Sequence, residues 1–461
     1  MEDRQGGDAE VMRNAGVVAE RGSVLPAPRG CSAVVAGWLL SWMLVVAAPA
    51  APAEAGADPW RPVARFLDRG DTPGVEALAP QERLVLRATL ELKLGRPERV
   101  LRLLDGAPSD DPLVGLLEAE AHRRAALRAL GRVPDDYGRG LERERRRLAS
   151  ARLDPWLREA EVRLERLRDD LVGRLNRPVD LLQLGPDVAN VFLVDKARSR
   201  LFAFVRDGAG GWRKLVDSYV VTGSRPGDKQ REGDGRTPDG VYRFVGRLEG
   251  AQLAPRYGPV AFPIDYPNAL DRIHHKDGHG IWLHGYAPQV RRRPPRDTRG
   301  CFSLPNDLLI RLAPRILPGK SWVVVGENLR FDDPARREAL RRSVAEAIES
   351  WRRDWSSLDT DAYLRHYHPA FRSGRLRLAE WKWYKRRINR GKRMIRVALS
   401  DITMIHDPNR WPEGEVVVVQ FHQEYRSDNY SDRTTKRLYL VRAAEGEPWR
   451  ILSEETVPDR G

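Results

Sequence analysis

The stretch GIWLHGYAPQVRRRPPRDTRGCFSLPNDL, residues 280–308, decides how this chain is read. A short apolar run, Ile281-Trp282-Leu283, ends in His284 and Gly285. Cys301 follows further on, inside Thr298-Arg299-Gly300-Cys301. A thiol is a weak nucleophile until it loses its proton, and an imidazole can take that proton and later return it to a leaving amine. Glycine beside each member lets the backbone approach closely and lets amide N–H groups face a developing oxyanion. These residue types suit acyl transfer through a thioester, although a His and a Cys at such a spacing also occur by chance.

The rest of the chain bears on that cysteine. There are two cysteines in 461 residues, Cys31 and Cys301, so no disulfide scaffold is possible. The segment CSAVVAGWLLSWMLVVAAPAAPAEAG, residues 31–56, has the parts of a secretory signal: Arg29 as positive flank, an apolar core from Cys31 to Val46, and Ala53-Glu54-Ala55 as cleavage site. The polar, Gly-rich flank before it suggests an over-extended start, with Met12 or a later codon as the true one. An uncleaved membrane anchor is the alternative. Export points to the periplasm, and cleavage near Ala55 leaves Cys301 as the one thiol, either a reactive nucleophile or a small core residue. No later apolar run is long enough to span a bilayer. The formal net charge of +14 permits a polyanionic partner. Export, and the lack of any finger, helix-turn-helix or ribonucleoprotein motif, argue against nucleic acid.

Three parts follow the signal region of 1–55. Residues 58–180 read as an all-α part of helical hairpins and a charged helix: over 58–130 apolar residues such as Val100, Leu101 and Leu104 recur at helical spacing, and Gly95-Arg96-Pro97 and Gly106-Ala107-Pro108 break the pattern. The charged stretch 139–175 reads as a solvated face or spacer, with a partner-binding helix as the alternative. From about 186 the period changes to that of strands, with Val191–Val194 and Leu201–Val205 as examples, and residues 186–328 read as mostly β with long loops. Beyond 333, Leu340, Val344, Ile348, Trp351 and Trp355 mark an amphipathic helix, Tyr363, Leu364 and Tyr367 a second short one, and alternating strands follow. That α+β pattern over 333–461 resembles the cone of the nuclear-transport-factor-2-like (NTF2-like) superfamily.

His-Gly, a loop, then Ser/Thr-x-Gly-Cys is similar to the signature of the YkuD-type L,D-transpeptidase catalytic domain. Upstream, GDKQREGDGRTPDGVYRF, residues 227–244, resembles that family's Lys/Glu-Gly-Asp-x-x-Thr-Pro-x-Gly-x-Tyr stretch. The resemblance covers about 186–327. It implies an exported enzyme that attacks the diaminopimelate–D-Ala bond of peptidoglycan tetrapeptide stems, forms an acyl-enzyme, and needs no cofactor. The acceptor would be an amine: a neighbouring diaminopimelate, an outer-membrane lipoprotein lysine or a free D-amino acid. Water would replace it in a hydrolytic carboxypeptidase or amidase. Carried over by position, Cys301 is the nucleophile, His284 the general base and later acid, and Thr298 a hydrogen-bonding support. Arg299 and Gly300 supply backbone, including oxyanion donors beside the Cys301 N–H, and Gly285 lets the chain turn. Lys229, Glu232, Asp234, Thr237 and Pro238 shape the cleft wall. Many relatives carry Arg two places after the nucleophile, where this chain has Ser303, which leaves room for the hydrolase. A reading from another class is a catalytically silent wall-binding scaffold.

His274, His275, His279 and His284 cluster, but their spacing is not that of a helical zinc pair, so no metal centre is expected there. His279 reads as a polar cleft residue. The run Arg291-Arg292-Arg293-Pro294-Pro295-Arg296 reads either as a solvated basic loop or as a lid whose arginines, Arg293 and Arg296 among them, meet stem-peptide carboxylates. Trp381, Trp383 and Tyr384 in the C-terminal part pack on the sheet or, alternatively, contact glycan.

Overall fold

The computed structural model describes residues 58–69, 78–107, 111–132, 138–151, 153–206 and 212–458. The expected signal segment and its flank lie outside the described residues.

Helices occupy the first part: Arg61–Arg69, Pro80–Lys93, Pro97–Leu104, Pro112–Leu130, Gly138–Ser150 and Asp154–Leu171. Pro80, Pro97, Pro112 and Pro155 sit in first turns, where a missing N–H costs nothing. Val85, Leu92, Val100, Leu113 and Leu117 form a core that Leu157 and Ala160 of the last helix close. The opposite side of that helix is not a solvated spacer. Val162 packs with Tyr219, Val221 and Tyr286 of the following domain, and its Asp169 shares the buried Arg200 guanidinium with Asp217. The charge reading missed this because the helix's acids and arginines are spent on internal pairs rather than on water.

The central part is built on a five-stranded sheet in the order Trp212–Tyr219, Arg200–Arg206, Asn190–Asp195, Ser321–Gly326, Gly240–Arg243. Against it lies a four-stranded sheet in the order Phe302–Ser303, Trp282–His284, Val260–Pro263, Leu248–Glu249. Phe192, Val194, Phe244, Phe262, Leu283, Phe302 and Val323 fill the space between them. A two-stranded parallel pair, Thr222–Gly223 with Arg296–Thr298, spans the loop region.

The last part has the long helix Pro334–Ser356, which buries the five predicted apolar residues, and a seven-stranded sheet. Tyr367 opens the strand Tyr367–Ser373 instead of ending the helix Thr360–Leu364. That strand lies parallel to Arg450–Val457. The helix Leu378–Asn389 divides the aromatic cluster: Trp381 joins the core while Trp383 and Tyr384 are exposed. The strand Leu181–Gln183, which precedes the catalytic part in sequence, pairs with Ile395–Trp411 at the edge of this last sheet. The chain thus visits the C-terminal sheet before building the central domain.

Candidate active site

The nucleophile and base are placed by two short parallel strands. Phe302 pairs with Leu283 and Ser303 with His284, so the residue before Phe302, Cys301, stands at the strand end near Trp282. The Cys301 thiol donates to the Gly280 carbonyl at 3.5 Å. Burial pushes this thiol upward, while the Trp282 amide and the charges of Lys229 and Arg293 pull the other way. His284 is buried. Its Nδ1 lies 2.6 Å from the Gly285 carbonyl, which fixes the proton on Nδ1 and leaves Nε2 as the acceptor. Burial lowers its pKa to about 4, against the opposing pull of the Gly285 carbonyl. At neutral pH Cys301 is a thiol and His284 a neutral imidazole.

The turn before the nucleophile is tied down twice. Thr298 Oγ1 donates to the Cys301 carbonyl at 2.6 Å and accepts the Gly300 N–H at 3.2 Å. Thr237, from the upstream motif, donates to the same carbonyl at 3.3 Å and accepts the Gly223 N–H. The Gly300 amide is therefore committed to Thr298, which corrects its expected place as an oxyanion donor. Among the described residues the amides of Arg299 and Cys301 carry no such bond. Gly300 is needed for its backbone: φ is +129°, and a Cβ would stand 2.8 Å from the Arg236 carbonyl.

Upstream, Lys229 is buried and bonds Asp234 at 3.0 Å and the Arg231 carbonyl at 2.8 Å. Burial alone would raise Asp234, but the amides of Gln230, Arg231 and Arg236, with Lys229, hold it at about 2.

His284 and Cys301 open on a cleft of about 890 Å³ that is also lined by Lys229, Glu232, His279, Arg293, Thr298 and Arg299. Gly285 and Arg296 do not line it. Gly285 lies behind the base, where a Cβ would meet Asn306 Oδ1 at 2.2 Å. Arg296 is exposed in the strand paired with Thr222. The basic loop is not a free lid. Arg292 bonds Glu159 at 2.7 Å and also Asp111, both in the helical part. Arg293 bonds Asp297 at 2.8 Å, and its Nη1 donates to Ser303 Oγ at 3.2 Å. It thereby brings a guanidinium to Ser303, the position at which the family resemblance leads one to expect an arginine.

Two contributors escaped the sequence reading. Tyr257 sets its ring edge-on to His284 at 5.1 Å, and Trp156, from the helix Asp154–Leu171, lines the cleft with its indole exposed. A Trp in a run of charged residues was the available signal for the second. Away from the cleft, Asp187, Asp401 and His422 bring three possible metal donors within 4.8 Å of one another. None of them lines the cleft.

Comparison with known proteins agrees with this geometry. Residues 189–325 match the YkuD model, an L,D-transpeptidase catalytic domain, and residues 343–455 match the Cds6 C-terminal NTF2-like domain. The Escherichia coli K12 protein named "Putative L,D-transpeptidase YafK" is 33% identical over 97 residues, 20% of this chain. The match spans only 34% of that relative's length. Among solved structures, Bd1075 of Bdellovibrio bacteriovorus is 28% identical with a TM-score of 0.53, covering 61% of this chain and 98% of that one. The helical cell shape determining protein Pgp2 of Campylobacter jejuni is 29% identical with a TM-score of 0.52, covering 60% and 95%. A YkuD-type L,D-transpeptidase catalytic domain, followed by an NTF2-like domain, is what this chain carries.

Proposed function

We propose that the chain is an exported, periplasmic L,D-transpeptidase that acts on the tetrapeptide stems of peptidoglycan through a thioester on Cys301. One observation carries this reading: a buried His284 whose Nδ1 lies on the Gly285 carbonyl, leaving Nε2 as the acceptor, on a strand paired with the strand that follows Cys301. His284 Nε2 takes the thiol proton as sulfur attacks the carbonyl carbon of diaminopimelate. The tetrahedral oxyanion is held by the amides of Arg299 and Cys301, since that of Gly300 is taken by Thr298. Its collapse breaks the C–N bond, and the imidazolium returns the proton to the departing D-Ala amine. An acceptor amine then attacks the thioester, gives its proton to His284, and restores the thiol. A cleft of about 890 Å³ has room for donor and acceptor segments together. The similarity to a cell-shape protein supports a role in wall remodelling that sets shape.

Ser303 favours a second reading, in which water resolves the thioester and the enzyme trims stems to tripeptides. Incubation of the mature protein with disaccharide-tetrapeptide, followed by mass spectrometry with a Cys301→Ala control, separates the two. A cross-linked dimer or D-amino-acid exchange supports transfer, and tripeptide alone supports hydrolysis. No Cys301-dependent product overturns both for this substrate and leaves a lipoprotein-lysine acceptor or the wall-binding scaffold.

A further inference from the structure

Trp156 is 43% exposed, yet the helix that carries it is tied to the central domain at several points. Glu159, one turn further along the same helix, pairs with Arg292 at 2.7 Å. Val162 is buried against Tyr219, Val221 and Tyr286. Arg158 donates to the Arg198 carbonyl at 2.7 Å, and Asp169 meets the buried Arg200. A large apolar side chain kept in water on a rigid support is a feature to be explained, because tryptophan ordinarily buries most of its surface. Here the indole lines the same cleft as Cys301 and His284, although the helix lies outside the catalytic sheets.

We propose that Trp156 is a stacking platform for a saccharide ring of the peptidoglycan donor, so that the helical part completes the substrate site and makes the enzyme prefer sugar-bearing stems over free peptides. This rests on the reading of the cleft as a stem-peptide site. The ring face carries negative quadrupole density that attracts the slightly positive C–H face of a pyranose, and a rigid platform adds little ordering cost. Arg293, Asp297 and Arg299 line the same cleft, and their polar groups fit a sugar's hydroxyl and amide groups better than a bare apolar peptide side chain. Its 43% exposure within the cleft lining leaves indole surface open to a ligand.

The test reads binding apart from turnover. Full-length Cys301→Ala protein is titrated calorimetrically with disaccharide-tetrapeptide and with the sugar-free tetrapeptide, with and without Trp156→Ala and Trp156→Phe. Trp156→Ala is expected to weaken the sugar-bearing ligand about fivefold or more, leave the free peptide within about twofold, and keep the melting temperature; Trp156→Phe should retain most of the affinity. Equal weakening of both ligands, no weakening of either, or no saturable binding overturns the proposal. If Trp156-dependent binding is found while the Cys301 enzyme makes no product, the proposed reaction fails and the saccharide platform stands.

Discussion

The Arg292 guanidinium lies 2.7 Å from Glu159 Oε2, joining the loop between base and nucleophile to the N-terminal helical part. Asp111 holds the same guanidinium, so the carboxylates that this arginine meets belong to the chain and not to a substrate. Both partners are largely screened from water. Removing one leaves an uncompensated charge, at about 2–4 kcal/mol. Arg292→Ser should therefore lower the melting temperature and raise KM for the muropeptide by loosening the cleft wall, with acylation by a small β-lactam little changed. Glu159→Gln should do the same, and the double variant should be no worse than the worse single one. Additive losses in a calorimetric double-mutant cycle would show that the pair is not coupled.

His284, lowered by burial to about 4, makes a prediction about pH. The base works when neutral, so it is competent above about pH 4 and is lost as the pH falls through that value. Thioester formation with a carbapenem, followed by intact-protein mass spectrometry, should stay nearly flat between pH 5 and 8. A free histidine would instead give a rate falling by about half near pH 6.5. A profile with its acid limb at that higher pH would mean that the imidazole is far better solvated than its surroundings indicate.

Arg293 offers a sharper probe, because it acts on both reactive groups. Its charge disfavours the imidazolium of His284 and favours the thiolate of Cys301. Arg293→Ala should slow acylation roughly tenfold, in line with the loss of one fixed charge near a reacting centre. It should also move the acid limb to higher pH, since His284 would then protonate more readily. The guanidinium reaches Ser303 Oγ at 3.2 Å, so Arg293→Ala combined with Ser303→Arg should recover part of the rate by returning the charge from the other side. A slower variant with an unmoved acid limb would assign Arg293 a packing role instead.

The legible part of this site is local in sequence. His284, Thr298, Gly300 and Cys301 fall within one loop and its flanking strands, and Thr237 sits in a short Gly- and Pro-rich run, so motif and chemistry coincide. What was not legible depends on distant pieces meeting. Trp156 reaches the cleft only because its helix docks on the central domain through Val162 and Asp169, and charge patterning alone cannot distinguish that helix from a solvated one. The loop arginines read as substrate contacts because Asp111 and Glu159 lie far upstream. The strand Leu181–Gln183 fell between two expected domains because three residues have too little periodicity to reveal that they complete a sheet more than two hundred positions later. The NTF2-like part was easier: the spacing from Leu340 to Trp355 already implied one buried helical face.

Lys385 allows a test of the C-terminal core, where its side chain is buried among the rings of Trp381, Trp355 and Tyr363 at 4.4, 4.7 and 5.6 Å. Burial drives the amine down to about 7, with Glu454 pulling the other way. The folded value is thus depressed below that of the unfolded chain, and between the two the unfolded state holds a proton that the folded state lacks. Lys385 consequently destabilises the fold at and below neutral pH, and the penalty fades as the pH rises toward the ordinary lysine value. The three rings return part of it, about 0.5–2 kcal/mol. Lys385→Met fills similar volume without the charge and leaves Glu454 paired with Lys436 and hydrogen-bonded by Tyr367. It should raise stability by about 1–4 kcal/mol at pH 7, and the gain should shrink steadily when urea unfolding is repeated up to about pH 10. A loss of stability at pH 7, or a gain that does not change with pH, would show that the amine keeps its charge inside the aromatic box and that the rings, with Glu454, offset its desolvation.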